Sequence, residues 1–80
     1  MTTITIDLGD DPFNNAEILR KLSGGREPFY VVRAQDVLGA GTIRYWANKA
    51  EERGVSASKV KNARTCANAM LNWHPRKLPD

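Results

Sequence analysis

The run P-F-Y-V-V-R-A-Q-D at 28–36 constrains this chain more than any other stretch. It is the densest cluster of aromatic and β-branched residues, which favour a pleated, packed surface. Phe29 and Val31 would face one way; Tyr30, Val32 and Ala34 would face the other. Two apolar faces predict a buried strand over 29–35. The run ends in three polar groups set close together, Arg33, Gln35 and Asp36.

Before it, T-I-T-I-D-L at 3–8 alternates strictly. Ile4, Ile6 and Leu8 share one face, and Thr3, Thr5 and Asp7 share the other, the pattern of a strand with one wet face. Gly9-Asp10-Asp11-Pro12 breaks it. Asp11 reads as an N-cap ahead of a first-turn proline, with Asn14 and Glu17 as a second capping pair. A helix over 12–22 follows, striped by Phe13, Ala16, Leu19 and Leu22. Ser23-Gly24-Gly25 ends it, with Gly24 suited to the left-handed conformation. Strand, helix and strand fit a parallel unit, and antiparallel pairing fits as well.

After the run, Gly39 and Gly41 argue for a turn over 36–41. A helix is expected over 42–53, buried along Ile43, Trp46, Ala47 and Ala50 and ended by Gly54. Ser56 or Ser58 would cap a third helix over 57–73. Val60, Ala63, Ala67, Met70 and His74 form a seam on which two helices pack at a shallow angle. Pro75 ends that helix, leaving 75–80 as a short tail. The expected fold is one small α+β domain over 1–80: two short strands, a helix between them, then an antiparallel helical hairpin.

Eighty residues bury a small core, and a core of this size contributes only about 3–5 kcal/mol. Cys66 is the only cysteine and His74 the only histidine, so neither a disulfide nor a Cys/His zinc site is expected within the chain. Self-association, as a dimer or higher homo-oligomer, is the remaining source of stability. No cofactor is implied. No apolar run approaches the ~20 residues of a membrane span, and no signal peptide is visible. A lone thiol fits a reducing cytoplasm.

The net charge of +3 is uneven. Residues 1–27 hold three Lys/Arg against five acids, and residues 28–80 hold nine against four. A basic C-terminal part points to an anionic partner: nucleotide, nucleic acid or an acidic protein surface.

The first candidate site is Arg33, Gln35 and Asp36, because polar groups between a strand end and a helix often line a ligand crevice. Arg33 could fork onto a phosphate, and Gln35 could read a base edge. The bland alternative is that Asp36 ties down the turn, Arg33 pairs with an acid and Gln35 is solvated. Arg44 and Tyr45 on the second helix would extend the site. Lys49 and Arg53 add charge there, partly offset by Glu51 and Glu52. The second candidate is Lys59, Lys61, Asn62 and Arg64, a basic start to the third helix. Spacings around Ala50, Gly54, Val55 and Val60 suit a DNA-reading helix-turn-helix. Against it, Lys49 and Arg53 stand where that motif buries apolar side chains, and the seam continues to Met70. Ser23-Gly24-Gly25-Arg26 could form a small anion nest, although helix termination explains it. No pair of carboxylates sits at metal or acid–base spacing, His74 stands at a helix end before Pro75, and Cys66 lies next to the seam as a packed side chain, so the chain reads as a non-enzyme.

The segments F-Y-V-V-R-A-Q-D, T-I-R-Y-W, A-E-E-R-G, K-V and A-N-A-M-L-N-W resemble a set of small uncharacterised proteins of bacteriophages and prophages. The shared pattern is an apolar strand ending in Arg33, Ala34, Gln35 and Asp36, then two amphipathic helices carrying Trp46, Met70 and Trp73. The likeness covers about 28–73. It departs at Gly39-Ala40-Gly41, where the pattern has a proline-containing stretch. The resemblance implies a phage setting inside a bacterial host cell and no particular activity. Phage proteins of this size commonly act by stoichiometric binding, as host-takeover or anti-defence factors. Three functional expectations follow: sequestration of an anionic nucleotide signal, DNA-binding regulation through helix 57–73, or inhibition of a host protein.

Overall fold

The computed structural model describes residues 9–78. The chain divides into two compact units, Met1–Tyr30 and Val31–Asp80. The first contains helix α1, Asn15–Leu22; the second contains α2, Gly39–Glu52, and α3, Ala57–Leu71.

Among the described residues there is no strand, which corrects the α+β expectation to an all-helical fold. The strand expected over 3–8 lies outside the described residues. The one expected over 29–35 does not form. Residues 26–32 make no hydrogen bond, and Phe29, Tyr30 and Val31 are 57%, 90% and 61% exposed. Side chains that prefer a pleated surface do not create one when the backbone finds no partner. Among the described residues the only β-type pairing is an isolated parallel bridge between Asp36 and Lys77.

In the first unit, α1 starts at Asn15, three residues after the expected start. Pro12 and Phe13 form a turn instead of helix. Asp11 still serves as the cap, from a greater distance in sequence. Its carboxylate accepts hydrogen bonds from the backbone N–H groups of Asn15 (3.0 Å) and Ala16 (2.8 Å). A carboxylate at that end also complements the helix dipole. Asn14 occupies the N-cap position in left-handed backbone, φ 56°, and its side chain makes no capping bond, so the Asn14–Glu17 box is absent. Phe13, Ala16, Leu19 and Leu22 are the half-buried positions of this segment, as their spacing predicts. Gly24, with φ 75°, follows the last turn.

In the second unit, α2 begins at Gly39, three residues before the expected position, so both glycines lie within the helix. Propensity disfavours this by about 1 kcal/mol per glycine. Gly39 offsets its share through close approach, because it is buried against the Arg33 carbonyl and the Met70 side chain. At the other end, the Val55 N–H bonds the Ala50 carbonyl at 3.0 Å and the Gly54 N–H bonds that of Glu51 at 3.1 Å. With Gly54 at φ 79°, this is a Schellman end. Ser56 holds the N-cap position of α3 without a side-chain capping bond. Helix α3 ends at Leu71, two residues short of the expected 73, and the Asn72 backbone N–H closes the last turn on Asn68 and Ala69.

The two helices form an antiparallel hairpin. Arg44 donates to the Asn68 side chain at 2.8 Å, and Arg64 donates to Asn48 at 3.0 Å and Glu51 at 2.9 Å. As the α2 partner advances, the α3 partner retreats. Two small cores fill the seam. Ala40, Ala67 and Met70 pack together with Ala34, Ile43 and Cys66 around them; Ala47, Ala50 and Val60 pack with Ala63. The alanines permit close approach, and among the described residues no large side chain is fully buried. Trp46, expected in the buried stripe, is 45% exposed. His74, expected on the seam, lies beyond the helix and is exposed.

Candidate functional site

The turn before α2 is closed by its own polar groups. The Asp36 N–H bonds the Arg33 carbonyl at 3.0 Å, and the Gly39 N–H bonds the Asp36 carbonyl at 2.9 Å. The Asp36 carboxylate accepts the Leu38 N–H at 2.8 Å. A side-chain oxygen bonding the backbone two residues on is an Asx turn. The C-terminal segment returns to this turn. The Lys77 N–H donates to the Gln35 carbonyl at 2.7 Å, the Val37 N–H donates to the Lys77 carbonyl at 2.9 Å, and Arg76 Nη2 reaches the Val37 carbonyl at 3.3 Å.

These contacts frame an open recess of about 310 Å³ lined by Arg33, Ala34, Gln35 and Trp73. That volume is at the small end of the range for ligand sites. Among the described residues, neither the Arg33 guanidinium nor the Gln35 carboxamide has a hydrogen-bond or ion-pair partner. The Trp73 indole is 56% exposed. A forked cation, an amide with donors and an acceptor, and an aromatic face therefore share one concavity. Together they could bind an anionic group, hydrogen-bond a ring edge and stack a planar ring.

The residues proposed from sequence separate into groups. Arg33 and Gln35 line the recess. Asp36 adjoins them with its carboxylate engaged in the turn. Arg44 and Tyr45 do not line it: Arg44 is bonded to Asn68, and Tyr45 is exposed with Lys49 Nζ 5.8 Å from its ring centroid. Trp73 was missed as a site residue because the expected helix ran through it. Its signal was an indole directly before His74-Pro75, where a helix must end.

The basic set on α3 also divides. Lys59, Lys61 and Asn62 are exposed and make no side-chain bond. Arg64 is held by Glu51 and Asn48 across the hairpin. The Arg64 guanidinium holds the Glu51 carboxyl below the ordinary glutamate value, chiefly through their hydrogen bond and then through its charge. At Ser23-Gly24-Gly25, the Gly25 N–H is spent on the Leu22 carbonyl, so the segment terminates α1. Cys66 is half-buried, and burial pushes its thiol up, away from the reactive thiolate. No three His, Cys, Asp or Glu side chains come together among the described residues. No described helix is long and apolar enough to cross a membrane.

No protein-family model matches the chain. No curated protein matches it. No solved structure matches it.

Proposed function

We propose that this chain is a non-catalytic binding protein whose recess takes an anionic ligand with a planar ring, of the nucleotide class. The observation that carries the reading is the convergence of Arg33, Gln35 and Trp73 on one recess with their binding groups uncommitted. Arg33 would fork onto phosphate oxygens, Trp73 would stack the base, and Gln35 would bond a base edge. In the phage setting that the resemblance implies, such a protein sequesters a nucleotide signal of the host cytoplasm and acts stoichiometrically, as an anti-defence factor. A non-catalytic role suits the chemistry at hand, because the one thiol is held in its neutral form and the one imidazole is exposed outside the recess.

The regulator reading draws on Lys59, Lys61 and Asn62 and loses Arg64, which is engaged within the hairpin. The host-protein reading draws on the exposed Tyr45 and Trp46 of α2. A thermal-shift screen separates all three. The panel holds cyclic di- and trinucleotides, nicotinamide nucleotides, mononucleotides and a mixed duplex. A ligand at 100 times its Kd adds about 2.7 kcal/mol, a shift of many degrees in a domain this small. A shift with one small nucleotide that is lost in Arg33→Ala upholds the proposal. A shift with duplex alone, falling steeply with salt, replaces it with the regulator. No shift with any member overturns it and leaves the protein-partner reading in front.

A further inference from the structure

Pro75 cuts the C-terminal segment off from α3, because its ring cannot continue a helix. The chain then returns along the turn before α2. The Lys77 N–H bonds the Gln35 carbonyl at 2.7 Å, the Lys77 carbonyl accepts the Val37 N–H at 2.9 Å, and Arg76 Nη2 reaches the Val37 carbonyl at 3.3 Å. Among the described residues no apolar anchor backs these bonds. None of residues 73–78 belongs to either core cluster, and Leu78 is 70% exposed. Closure also carries a cost of its own, because Arg76 Nε is buried with no hydrogen-bond partner.

We propose that residues 74–78 form a clasp that opens and shuts while the hairpin stays folded, and that the recess is complete only when the clasp is shut. What the open clasp leaves behind is held by other bonds. The turn keeps the Asp36 N–H on the Arg33 carbonyl, the Gly39 N–H on the Asp36 carbonyl and the Leu38 N–H on the Asp36 carboxylate. The Trp73 N–H keeps the Met70 carbonyl at 3.2 Å. Between Trp73 and Arg76, His74 and Pro75 are exposed and make no hydrogen bond. They are the hinge.

Trp73 is the last residue tied to α3, so the path of 74–78 sets where its indole stands. Lys77 brings that path back to Gln35, on the other wall of the recess. With the clasp shut, Arg33, Gln35 and Trp73 share one concavity; with it open, the indole loses its tie to the Gln35 wall. Small, exposed elements with few buried contacts are the ones that open locally, ahead of the fold around them. A ligand that needs both walls binds the shut form alone, so it draws the clasp closed, and its apparent affinity falls with the shut fraction. That coupling rests on the nucleotide reading above; the opening itself does not.

The experiment is native-state amide exchange of the whole chain without ligand, comparing wild type with Lys77→Pro and Lys77→Ala. Alanine keeps the backbone donor, whereas proline removes it and sets its ring against the Gln35 carbonyl. In wild type the Val37 and Lys77 amides should open together, at least about tenfold more often than those of Ala47 and Ala67, and with little response to low urea. Lys77→Pro should strip the protection from Val37 and leave Ala47 and Ala67 within about twofold of wild type, while Lys77→Ala should keep it. In a Trp46→Phe background, acrylamide should quench Trp73 more strongly in Lys77→Pro than in Lys77→Ala. Any member of the nucleotide panel that shifts the wild-type melt should raise Val37 protection and bind Lys77→Pro at least about tenfold more weakly. Val37 and Lys77 amides as protected as those of Ala47, a Lys77→Pro chain that loses hairpin protection equally, equal Trp73 quenching in the two variants, or undiminished nucleotide binding by Lys77→Pro would each overturn the clasp. A panel without a binder fails the nucleotide reading alone, and exchange and quenching then decide the clasp.

Discussion

Gly39 stands so close to Arg33 that a β-carbon built on it would lie 2.8 Å from the Arg33 carbonyl oxygen. The same atom would lie 3.1 Å from Met70 Cε. The methionine end can move, but the carbonyl belongs to the turn that Asp36 closes and that carries the recess. Gly39→Ala should therefore destabilise the second unit by about 1–3 kcal/mol, the usual cost of overpacking. Gly41, two residues on in the same helix, has nothing within 4 Å of its β position. Gly41→Ala should stabilise by about 0.5–1 kcal/mol. Urea unfolding of both variants checks the pair. Equal shifts of the same sign would mean that the contact between Gly39 and Arg33 has no energetic weight.

Asp36 offers a way to separate support from ligand contact. Its carboxylate holds the Leu38 N–H. An amide oxygen can accept the same bond, so Asp36→Asn should cost a few tenths of a kcal/mol and Asp36→Ala about 1 kcal/mol. If Asp36 acts only through the turn, Asp36→Asn should also leave nucleotide affinity unchanged in titration calorimetry. A large loss of affinity in Asp36→Asn with normal stability would place Asp36 on the ligand.

The ion pair between Glu51 and Arg64 sets a pH dependence of known sign. Arg64 lowers the folded-state pKa of Glu51, and both groups lie at the surface. A depressed carboxyl contributes stability that is fully present above its unfolded pKa, about 4.3, and is lost as pH falls through the lower folded value. Wild type should therefore exceed Glu51→Gln in stability near neutrality, and the gap should close on acidification below about pH 4. Because the pair is exposed, about 1 M salt should close most of it as well. A gap that widens in acid would show that Glu51 acts through something other than Arg64.

How far the sequence exposed this structure depends on the kind of signal. The hairpin was legible because Val60, Ala67 and Met70 repeat at helical spacing and Gly54 marks its turn. The start of α2 was not, because a glycine reads as a breaker until the neighbour that requires it is known, and that neighbour, Arg33, is a tertiary contact. The strand over 29–35 failed for the converse reason: pleated-surface preference is local, whereas a strand needs a backbone partner. At the site, Arg33 and Gln35 were visible as polar groups after an apolar run. Arg44 and Tyr45 were drawn in by composition and are placed elsewhere by the turn of the helix. Trp73 joins the recess beside a C-terminal segment that returns to residues 35–37, a closure no local pattern announces.

Trp73 also gives the recess its own reporter. The chain has two tryptophans, and Trp46 lies on α2 and does not line the recess. In Trp46→Phe, indole emission comes from Trp73 alone. A base stacking on that ring should quench it, and quenching should saturate at the Kd measured by calorimetry. Loss of one base–aromatic stack is worth about 1–3 kcal/mol, so Trp73→Ala should weaken binding by roughly 5- to 150-fold. The substitution should cost little stability, because the indole is more than half exposed and caps no core cluster. Trp73→Phe should recover part of the affinity, since a smaller ring still stacks. Nucleotide binding that leaves Trp73 emission unchanged would move the ligand away from this recess, whatever the thermal shift.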